Sequence, residues 1–293
     1  MLENLQPGWL AGCLGRGEQA TRNALSPRSR RKFDDRNDET MVRADSANSA
    51  RPYGHLAPNY DATVGLPFFR RTRRAFEKLI RRYGITFRTA ADIGCGTGLF
   101  ARYLNRSWNV PVIGVDISRD MLRVAARNCR GVRVCLLRQD IRTLSLPHPV
   151  DLITCNFDTL NHLVKDGDLA GTFRSVQANL NAGGHFIFDM LLQCGPLGKV
   201  QRYGVRFQTA QRQVTQHVRW DPGSRQVSIL VSIRSRSMPR RILEAYRERA
   251  YSPEEIGNAL LEAGFVIRGI HDATTLTMAS RCSPRVVIVA RKK

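Results

Sequence analysis

Asp92-Ile93-Gly94-Cys95-Gly96-Thr97-Gly98 is a glycine-rich turn that follows a short apolar run and precedes a helical pattern. Because glycine has no Cβ, such a turn lets the backbone approach a ligand closely and directs free amide groups toward it. The spacing is not the G-x-G-x-x-G of nicotinamide and flavin sites, since position 99 is Leu99, and the Gly-Lys-Ser/Thr of a P-loop is absent. The stretch predicts a strand, a tight loop and a helix around a different ligand.

Patterns typical of strands and helices alternate around this loop. Short apolar runs predict strands at 89–93, 110–115, 132–138, 150–156 and 185–190. Helical spacing predicts helices at 67–83, 99–104, 119–128 and 168–180, and Asn181-Ala182-Gly183-Gly184 predicts a turn. A further helix should begin at the capping box Ser252-Pro253-Glu254-Glu255, end at Gly264, and precede strands at 265–270 and 286–290. The pattern indicates an α/β fold with a doubly wound, Rossmann-like sheet of seven strands.

Two segments depart from this alternation. Residues 1–50 mix basic and acidic side chains without periodicity, which predicts a disordered N-terminal extension before one catalytic domain at 51–293. Residues 200–251 alternate apolar and polar side chains, as between Val227 and Ile233, next to a turn at Asp221-Pro222-Gly223-Ser224. We expect an antiparallel β insertion there, after the fifth strand.

Composition narrows the classes of function. The 293 residues carry a formal net charge of +21, but only six of the 46 basic residues are lysines, a skew that GC-rich codon usage produces without selection for an anionic partner. The seven cysteines form no C-x-x-C pair, which argues against a zinc knuckle or a disulfide framework. An apolar run long enough to span a membrane and a secretory signal are both absent. We expect a soluble, cytoplasmic protein without a metal or a membrane partner.

The glycine spacing, with carboxylates after the next two predicted strands, resembles that of class I S-adenosylmethionine-dependent methyltransferases. The resemblance implies S-adenosyl-L-methionine as the cofactor and a last strand antiparallel to the others. It also implies that the loop receives the methionine half of the cofactor. The residues concerned are Asp92, Gly94, Cys95, Gly96 and Gly98.

The same resemblance implies how the nucleoside half is bound. Asp116 would accept the ribose hydroxyls, and Asp140 would bind the adenine amino group. Ile117, next to Asp116, would also contact the cofactor. Ile141 and Met121 would flank the two faces of the adenine ring. Each carboxylate also has a simpler interpretation, Asp116 as a helix cap and Asp140 as an ordinary turn residue. Their succession at strand ends, where open sheets bind ligands, favours the cofactor roles.

The segment Asn156-Phe157-Asp158-Thr159-Leu160-Asn161-His162-Leu163 resembles the methyltransferase-25-like group of small-molecule methyltransferases. It lacks the prolines of the (D/N)-P-P-(Y/F) motif of DNA adenine and glutamine methylases, which disfavours base methylation by that mechanism. The resemblance places Asn156 and Phe157 at the cofactor, and Tyr60 of Ala57-Pro58-Asn59-Tyr60-Asp61 over it. Asp158 or His162 is the candidate for removing or orienting the acceptor's proton; alternatively, both fix the loop by hydrogen bonds.

Three functions are compatible with these residues. The leading hypothesis is in-line methyl transfer to oxygen, nitrogen or carbon of a small molecule, with the insertion as acceptor wall or lid. The second is an RNA methyltransferase, because residues 201–250 carry 11 arginines and a net charge of +8; an exposed Tyr203 or Trp220 on the same face would favour it. The third is a non-catalytic binding protein, whose mark would be degraded cofactor positions, and all of them are intact.

Overall fold

The computed structural model describes residues 53–193, 201–208, 212–221, 223–236, 238–280 and 283–293. The extension predicted at 1–50 lies outside this part of the chain. The strands are β1 (Ala90–Ile93), β2 (Val112–Asp116), β3 (Val134–Arg138), β4 (Val150–Cys155), β5 (Leu180–Leu191), β6 (Gln201–Gln208), β7 (Arg212–Asp221), β8 (Gln226–Ser235), β9 (Met238–Arg249), β10 (Phe265–Asp272) and β11 (Arg285–Lys292).

The helices alternate with the strands of the main sheet. They are α1 (Ala57–Tyr60), α2 (Leu66–Tyr83), α3 (Leu99–Trp108), α4 (Arg119–Asn128), α5 (Asp168–Ala178) and α6 (Pro253–Glu262). A π-helical turn, Asp61–Gly65, joins α1 to α2, and short 3₁₀ turns lie at Ile141–Thr143 and Thr159–His162.

Seven strands form the main sheet, in the order β10-β11-β5-β4-β1-β2-β3. Neighbouring strands from β3 to β5 are parallel, and β11 runs antiparallel to both β5 and β10. The predicted Rossmann-like sheet with an antiparallel last strand is confirmed. The strand order reverses between β1 and β4, and an open parallel sheet binds ligands at the carboxyl ends of the strands flanking such a reversal.

Two apolar layers cover the sheet, because successive side chains of a strand point to opposite faces. Phe186 and Phe188 of β5 belong to the layer under α5 and α6, where Phe173 of α5 is also fully buried. Ile187 belongs to the opposite layer, which holds Phe76 of α2 and other side chains of α2 and α3. The central strands therefore have both faces buried, as parallel sheets require.

Local signals predicted most of the helix boundaries. The helix expected at 119–128 has those bounds, and Ser252 and Glu255 form the predicted capping box at the start of α6. The turn predicted at 181–184 is wrong, because these residues lie within β5. Val150 pairs with Leu180 and Leu152 with His185, so four residues of β5 bulge opposite the single residue Asp151.

The predicted insertion is confirmed as a separate four-stranded antiparallel sheet in the order β6-β7-β8-β9. One of its faces buries Val214, Val231, Ile233 and Tyr246 together with Leu56, which precedes α1. The insertion and the N-terminal segment are thus packed on each other. No helix in the described ranges has the length and apolar character needed to cross a membrane.

Candidate active site

A cavity of about 540 Å³ lies at the carboxyl ends of β1, β2 and β4, where the strand order reverses. The glycine loop and Asp116 line one side of it. Tyr53 and Tyr60 of the N-terminal segment and Tyr246 of the insertion line another. The insertion therefore covers the predicted cofactor loop, and both border one space.

The three loop glycines have positive φ angles but different surroundings. A Cβ on Gly94 would lie 2.3 Å from Cγ2 of Thr159, and one on Gly98 would lie 2.9 Å from Sγ of Cys129. The missing side chains at Gly94 and Gly98 therefore let Thr159 and Cys129 pack directly against the loop. A Cβ on Gly96 would meet no atom within 4 Å. Gly96 therefore leaves an open cradle at the cavity, the space that a bound cofactor needs.

Asp116 ends β2, and backbone amides hold its carboxylate in place. Oδ2 accepts from the Gly96 amide and Oδ1 from the Ser118 amide, both at 2.8 Å. The Ser118 hydroxyl, not Asp116, caps α4, since it accepts from the Met121 amide. Burial raises the pKa of Asp116, and the amide hydrogen bonds oppose that shift. A carboxylate offers about four acceptor sites, so beside its backbone hydrogen bonds from Gly96, Ile117 and Ser118 Asp116 can still accept from a ligand hydroxyl.

The predicted adenine-binding residues border the cavity, and so does Ile117 next to Asp116. Ile117, Met121, Asp140 and Ile141 all line it. Asp140 also caps the turn Ile141–Thr143 and pairs with Arg142, whose Nη2 lies 2.6 Å from its Oδ2. That ion pair lowers the pKa of Asp140. Asp140 is therefore a turn residue, as the simpler interpretation has it. It also lines the cavity, as the predicted role at the adenine amino group requires.

Several predicted site residues lie behind the lining rather than in it. The residues that do not line the cavity are Asp92, Gly98, Asn156 and Asp158, whereas Cys95 and Phe157 do. Asp92 is 2% exposed, and its Oδ1 accepts from the Thr154 hydroxyl on the neighbouring strand at 2.8 Å. Burial raises the pKa of Asp92 to about 7.

Three tyrosines and His162 form the wall opposite the glycine loop. The rings of Tyr53 and Tyr246 are stacked, with centroids 4.4 Å apart and planes inclined by 15°. Tyr60 meets the edge of the Tyr53 ring at 6.1 Å. The negative faces of such rings attract cationic groups, so this wall suits a sulfonium ion or an ammonium group.

The hydrogen bonds of His162 determine its tautomer. Nδ1 lies 3.2 Å from the Arg247 carbonyl oxygen, which can only accept, so Nδ1 carries the proton. Nε2 of the neutral ring then accepts from the Tyr53 hydroxyl at 2.8 Å, and Oε1 of Glu248 is 3.8 Å away. Burial lowers the pKa of His162, which favours the neutral form. Burial also raises the pKa of Glu248, which favours the neutral acid. The neutral imidazole of His162 can therefore take up a proton.

Asp158 has its carboxylate engaged on the side away from the cavity. Both of its oxygens bind the Arg285 guanidinium, with Nη2 at 2.6 Å from Oδ2. Its amide donates to Asp189, which also accepts from Arg285. Phe157 and Asp158 both have positive φ angles near +60°, a region that is costly for residues other than glycine. The ion pair therefore stabilises the strained turn that places Phe157 at the cavity.

Sequence patterns did not indicate the residues that come to the site from remote positions. Tyr53, Tyr246, Glu248 and Arg285 were missed because they lie about 85 to 195 residues from the residues they contact. One available signal was the alternation of Glu244, Tyr246 and Glu248 on β9, which puts three polar side chains on one face. All three are buried.

The reversal in the parallel sheet, the G-x-G-x-G loop and the acidic ends of β2 and β3 define a class I S-adenosylmethionine-dependent methyltransferase, and the chain is a member of that class. The methyltransferase-25 family model, described as a methyltransferase domain, matches residues 90–184. The predicted enzyme class and its cofactor, S-adenosylmethionine, are thereby confirmed.

Three relatives illustrate the similarity. A protein of Geobacillus sp. (strain WCH70) that is named as a methyltransferase is 25% identical over 243 residues, which cover 74% of this chain and 90% of that protein. The dTDP-3-amino-3,6-dideoxy-alpha-D-glucopyranose N,N-dimethyltransferase of Streptomyces fradiae is 30% identical over 111 residues, 38% of this chain and 42% of that enzyme. The crystal structure of an S-adenosylmethionine-dependent methyltransferase from Clostridium acetobutylicum superposes with a TM-score of 0.70 and 24% identity, over 82% of this chain and 98% of that one.

Proposed function

We propose that this enzyme methylates a small molecule whose nucleophile is an amine or a hydroxyl group, bound between the glycine loop and the tyrosine wall. The observation that carries the proposal is the single cavity of about 540 Å³ that both of them line. Its volume falls within the range of pockets that enclose small ligands.

The cofactor residues follow from the position of each side chain. We assign Gly94, Cys95 and Gly96 to the methionine half of the cofactor, with Gly96 supplying the open cradle. Asp116 accepts the ribose hydroxyls. The adenine ring lies against Ile117, Met121 and Ile141, near Asp140. Bound S-adenosylmethionine supplies an electrophilic methyl group on a sulfonium sulfur.

His162 is our candidate for receiving the acceptor's proton. Its neutral ring presents Nε2 to the Tyr53 hydroxyl, and both side chains line the cavity. The Tyr53 oxygen takes the acceptor's proton as its own hydroxyl proton passes to Nε2. Burial raises the pKa of Glu248, whose Oε1 is 3.8 Å from Nε2, so its neutral form is favoured. We assign Asp158 a structural role, because Arg285 already binds both of its oxygens. The alignment of acceptor and methyl group within the enclosed site supplies the remaining acceleration.

The contacts of the insertion favour a small acceptor over RNA. Trp220 is 7% exposed and packs in an apolar cluster, so it offers no face for stacking on a base. The side chain of Tyr203 lies outside what the structure describes. Arg249 pairs with Asp166 and Glu255, and Arg225 also pairs with Glu255. These two arginines therefore attach the insertion to α6 and to the loop before α5. The Streptomyces relative, an N,N-dimethyltransferase by name, makes an amine the first acceptor class to test.

The first test is cofactor binding by the full chain, measured by calorimetry and thermal shift. A ligand that binds only the native state raises its stability. We expect Asp116→Ala to weaken binding by roughly tenfold or more, because hydrogen bonds to a charged group are lost. Asp120→Ala removes an equal charge from a residue that pairs with Arg123 and does not line the cavity, and should bind normally.

The second test is transfer of labelled methyl groups to panels of amines, hydroxyl compounds and RNA. Incorporation into a small amine or alcohol, lost in Asp116→Ala, is the expected result. Incorporation into RNA alone would replace the proposal by the RNA hypothesis. A well-folded chain that bound the cofactor but methylated neither class would point to the non-catalytic alternative.

A further inference from the structure

A second cleft, of about 380 Å³, lies at the edge of the sheet where β4 and β5 begin, opposite the cofactor cavity. It is lined by Gly183, Gly184 and His185 of β5, together with Arg268 of β10 and Arg291 of β11. None of these residues takes part in the proposed methyl transfer. The cleft includes most of the Asn181-Ala182-Gly183-Gly184 segment, whose bulged conformation the sequence did not predict.

Three basic side chains converge on this cleft. His185 and Arg291 are directly opposite each other in the register of β5 and β11. Arg268 occupies the irregularity in β10, where the register skips from Ile267 to Gly269. A bulge redirects the side chain it carries. The arrangement therefore brings two guanidinium groups and one imidazole to the same space.

Neutral donors hold the carboxylate in the cleft wall. Oδ2 of Asp151 accepts from the amides of Arg88 and Thr89, at 2.8 and 3.0 Å. Oδ1 accepts from Nδ2 of Asn181 at 2.7 Å. Asp151 is the only acidic residue that lines the cleft in the part of the chain that the structure describes. None of the donors to Asp151 belongs to Arg268 or Arg291, so both guanidinium groups can bind an anion from solution.

The backbone of the bulge holds Arg291 in place. Gly183 has a φ angle of +72°. Nε of Arg291 donates to the Gly183 carbonyl at 3.2 Å, which fixes the guanidinium beside the glycine. A Cβ at position 183 would lie 2.9 Å from Nη2 of Arg291. The glycine thus lets the guanidinium lie against the backbone of the bulge.

We propose that this cleft binds a phosphate group, held by Arg268, Arg291 and His185 beside the 181–184 bulge. Planar guanidinium groups bind phosphate oxygens in pairs, and charge-assisted hydrogen bonds of this kind are the strong ones. The phosphate can be inorganic or carried by a small metabolite. The site is independent of the methyl-transfer cavity and its acceptor.

His185 provides a direct readout. Burial, followed by Arg291 and then Arg268, lowers its pKa. The other groups facing the cleft are Tyr83 of α2 and Asp151 of β4. A bound phosphate favours the charged imidazole, so it must raise the pKa of His185.

The experiment is an NMR pH titration of His185 in the full chain, with inorganic phosphate added at constant ionic strength. We expect a saturable rise in the pKa of His185. In the double variant Arg268→Gln, Arg291→Gln, phosphate should bind at least roughly tenfold more weakly. The double variant Arg130→Gln, Arg174→Gln removes the same charge from exposed residues outside the cleft and should retain binding. Repeating the titration with glycerol phosphate separates free phosphate from a phosphate monoester.

Cofactor-induced thermal stabilisation checks that each variant is folded. No pKa change with either compound would overturn the proposal. An equal change in both double variants would also overturn it, since that result indicates general attraction of anions to a chain of net charge +21.

Discussion

His162 illustrates how tertiary contacts select one form of a titratable side chain. The Arg247 carbonyl requires a proton on Nδ1, and burial lowers the pKa, so the ring is neutral with Nε2 as the acceptor. A neutral imidazole is the competent form of a general base. Its tautomer is fixed by a backbone group 85 residues away, so the sequence alone could nominate His162 but not its protonation.

We predict that His162→Asn lowers kcat by roughly a hundredfold or more and leaves the dissociation constant of the cofactor unchanged, because only the proton acceptor is removed. As pH falls through the pKa of His162, the imidazole is protonated and the base is lost. Since burial lowers that pKa, the wild-type rate should begin to fall only below about pH 6.5. His148→Asn alters an exposed histidine and is the control. An unchanged kcat in His162→Asn would remove the residue from the mechanism.

Asp92 is a buried carboxylate under the glycine loop, and it supports the loop instead of contacting the cavity. Its pKa of about 7 exceeds that of an exposed aspartate, so the folded state retains a proton that the unfolded chain releases. The stability that this protonated carboxyl group contributes to the folded state is therefore fully present below about pH 4. It is lost as pH rises toward and through 7.

We predict that wild-type stability against urea falls by up to ~4 kcal/mol between about pH 4 and pH 7 through this group. Asp92→Asn keeps an oxygen that can accept from Thr154 but has no charge to bury. The variant should show a flatter pH dependence and become the more stable of the two near pH 8. Parallel curves for the two proteins would show that Asp92 ionises normally.

At the scale of elements, the turn between α1 and α2 attaches the N-terminal segment to the cofactor loop. Asp61 accepts from the Thr97 hydroxyl and from Nδ2 of Asn128, which in turn donates to the Thr97 carbonyl at 2.8 Å. Tyr60, the preceding residue, lines the cavity. A π-helical turn at this point agrees with the frequent use of such turns at functional sites.

We predict that Asp61→Ala and Asn128→Ala each weaken cofactor binding, because either change frees the turn from the loop. The double variant should lose little more than one single variant, with a coupling energy within about 0.5–3 kcal/mol, as is typical of residues in one hydrogen-bond network. Calorimetry on the four proteins measures this. Additive losses would mean that the two side chains act independently.

At the scale of the whole molecule, the chain has a net charge of +21, and the salt dependence of acceptor binding distinguishes a small-molecule acceptor from RNA. Binding of RNA releases counterions, so its affinity falls steeply as salt increases. A small acceptor held within an enclosed cavity exchanges few ions. The arginines that pair with carboxylates, such as Arg249, are also unavailable for phosphates.

We predict that KM for the small acceptor changes by less than about threefold between 50 and 200 mM salt. An RNA acceptor with six or more phosphate contacts would lose about a thousandfold in affinity over the same range. Initial rates measured at both salt concentrations, with cofactor saturating, test this. A steep salt dependence would favour the RNA hypothesis.

The sequence by itself determined the class and most of the architecture. The signals were local: the glycine loop, the acidic strand ends and the alternation of periodicities. Backbone conformation and the burial of one face restrict which residue types can stand at neighbouring positions. The 181–184 segment shows the limit: its glycines indicate a turn, but pairing with β4 and β11 keeps it in a strand.

Only the tertiary structure decided what each side chain at the site contacts. Asp158 and His162 were equivalent candidates in the sequence, and they separate because Arg285 binds one and Tyr53 the other. Tyr246 and Glu248 reach the site through pairing within the insertion. These contacts join residues far apart in the chain, and their energies depend on distances and burial that exist only after the sheets have packed.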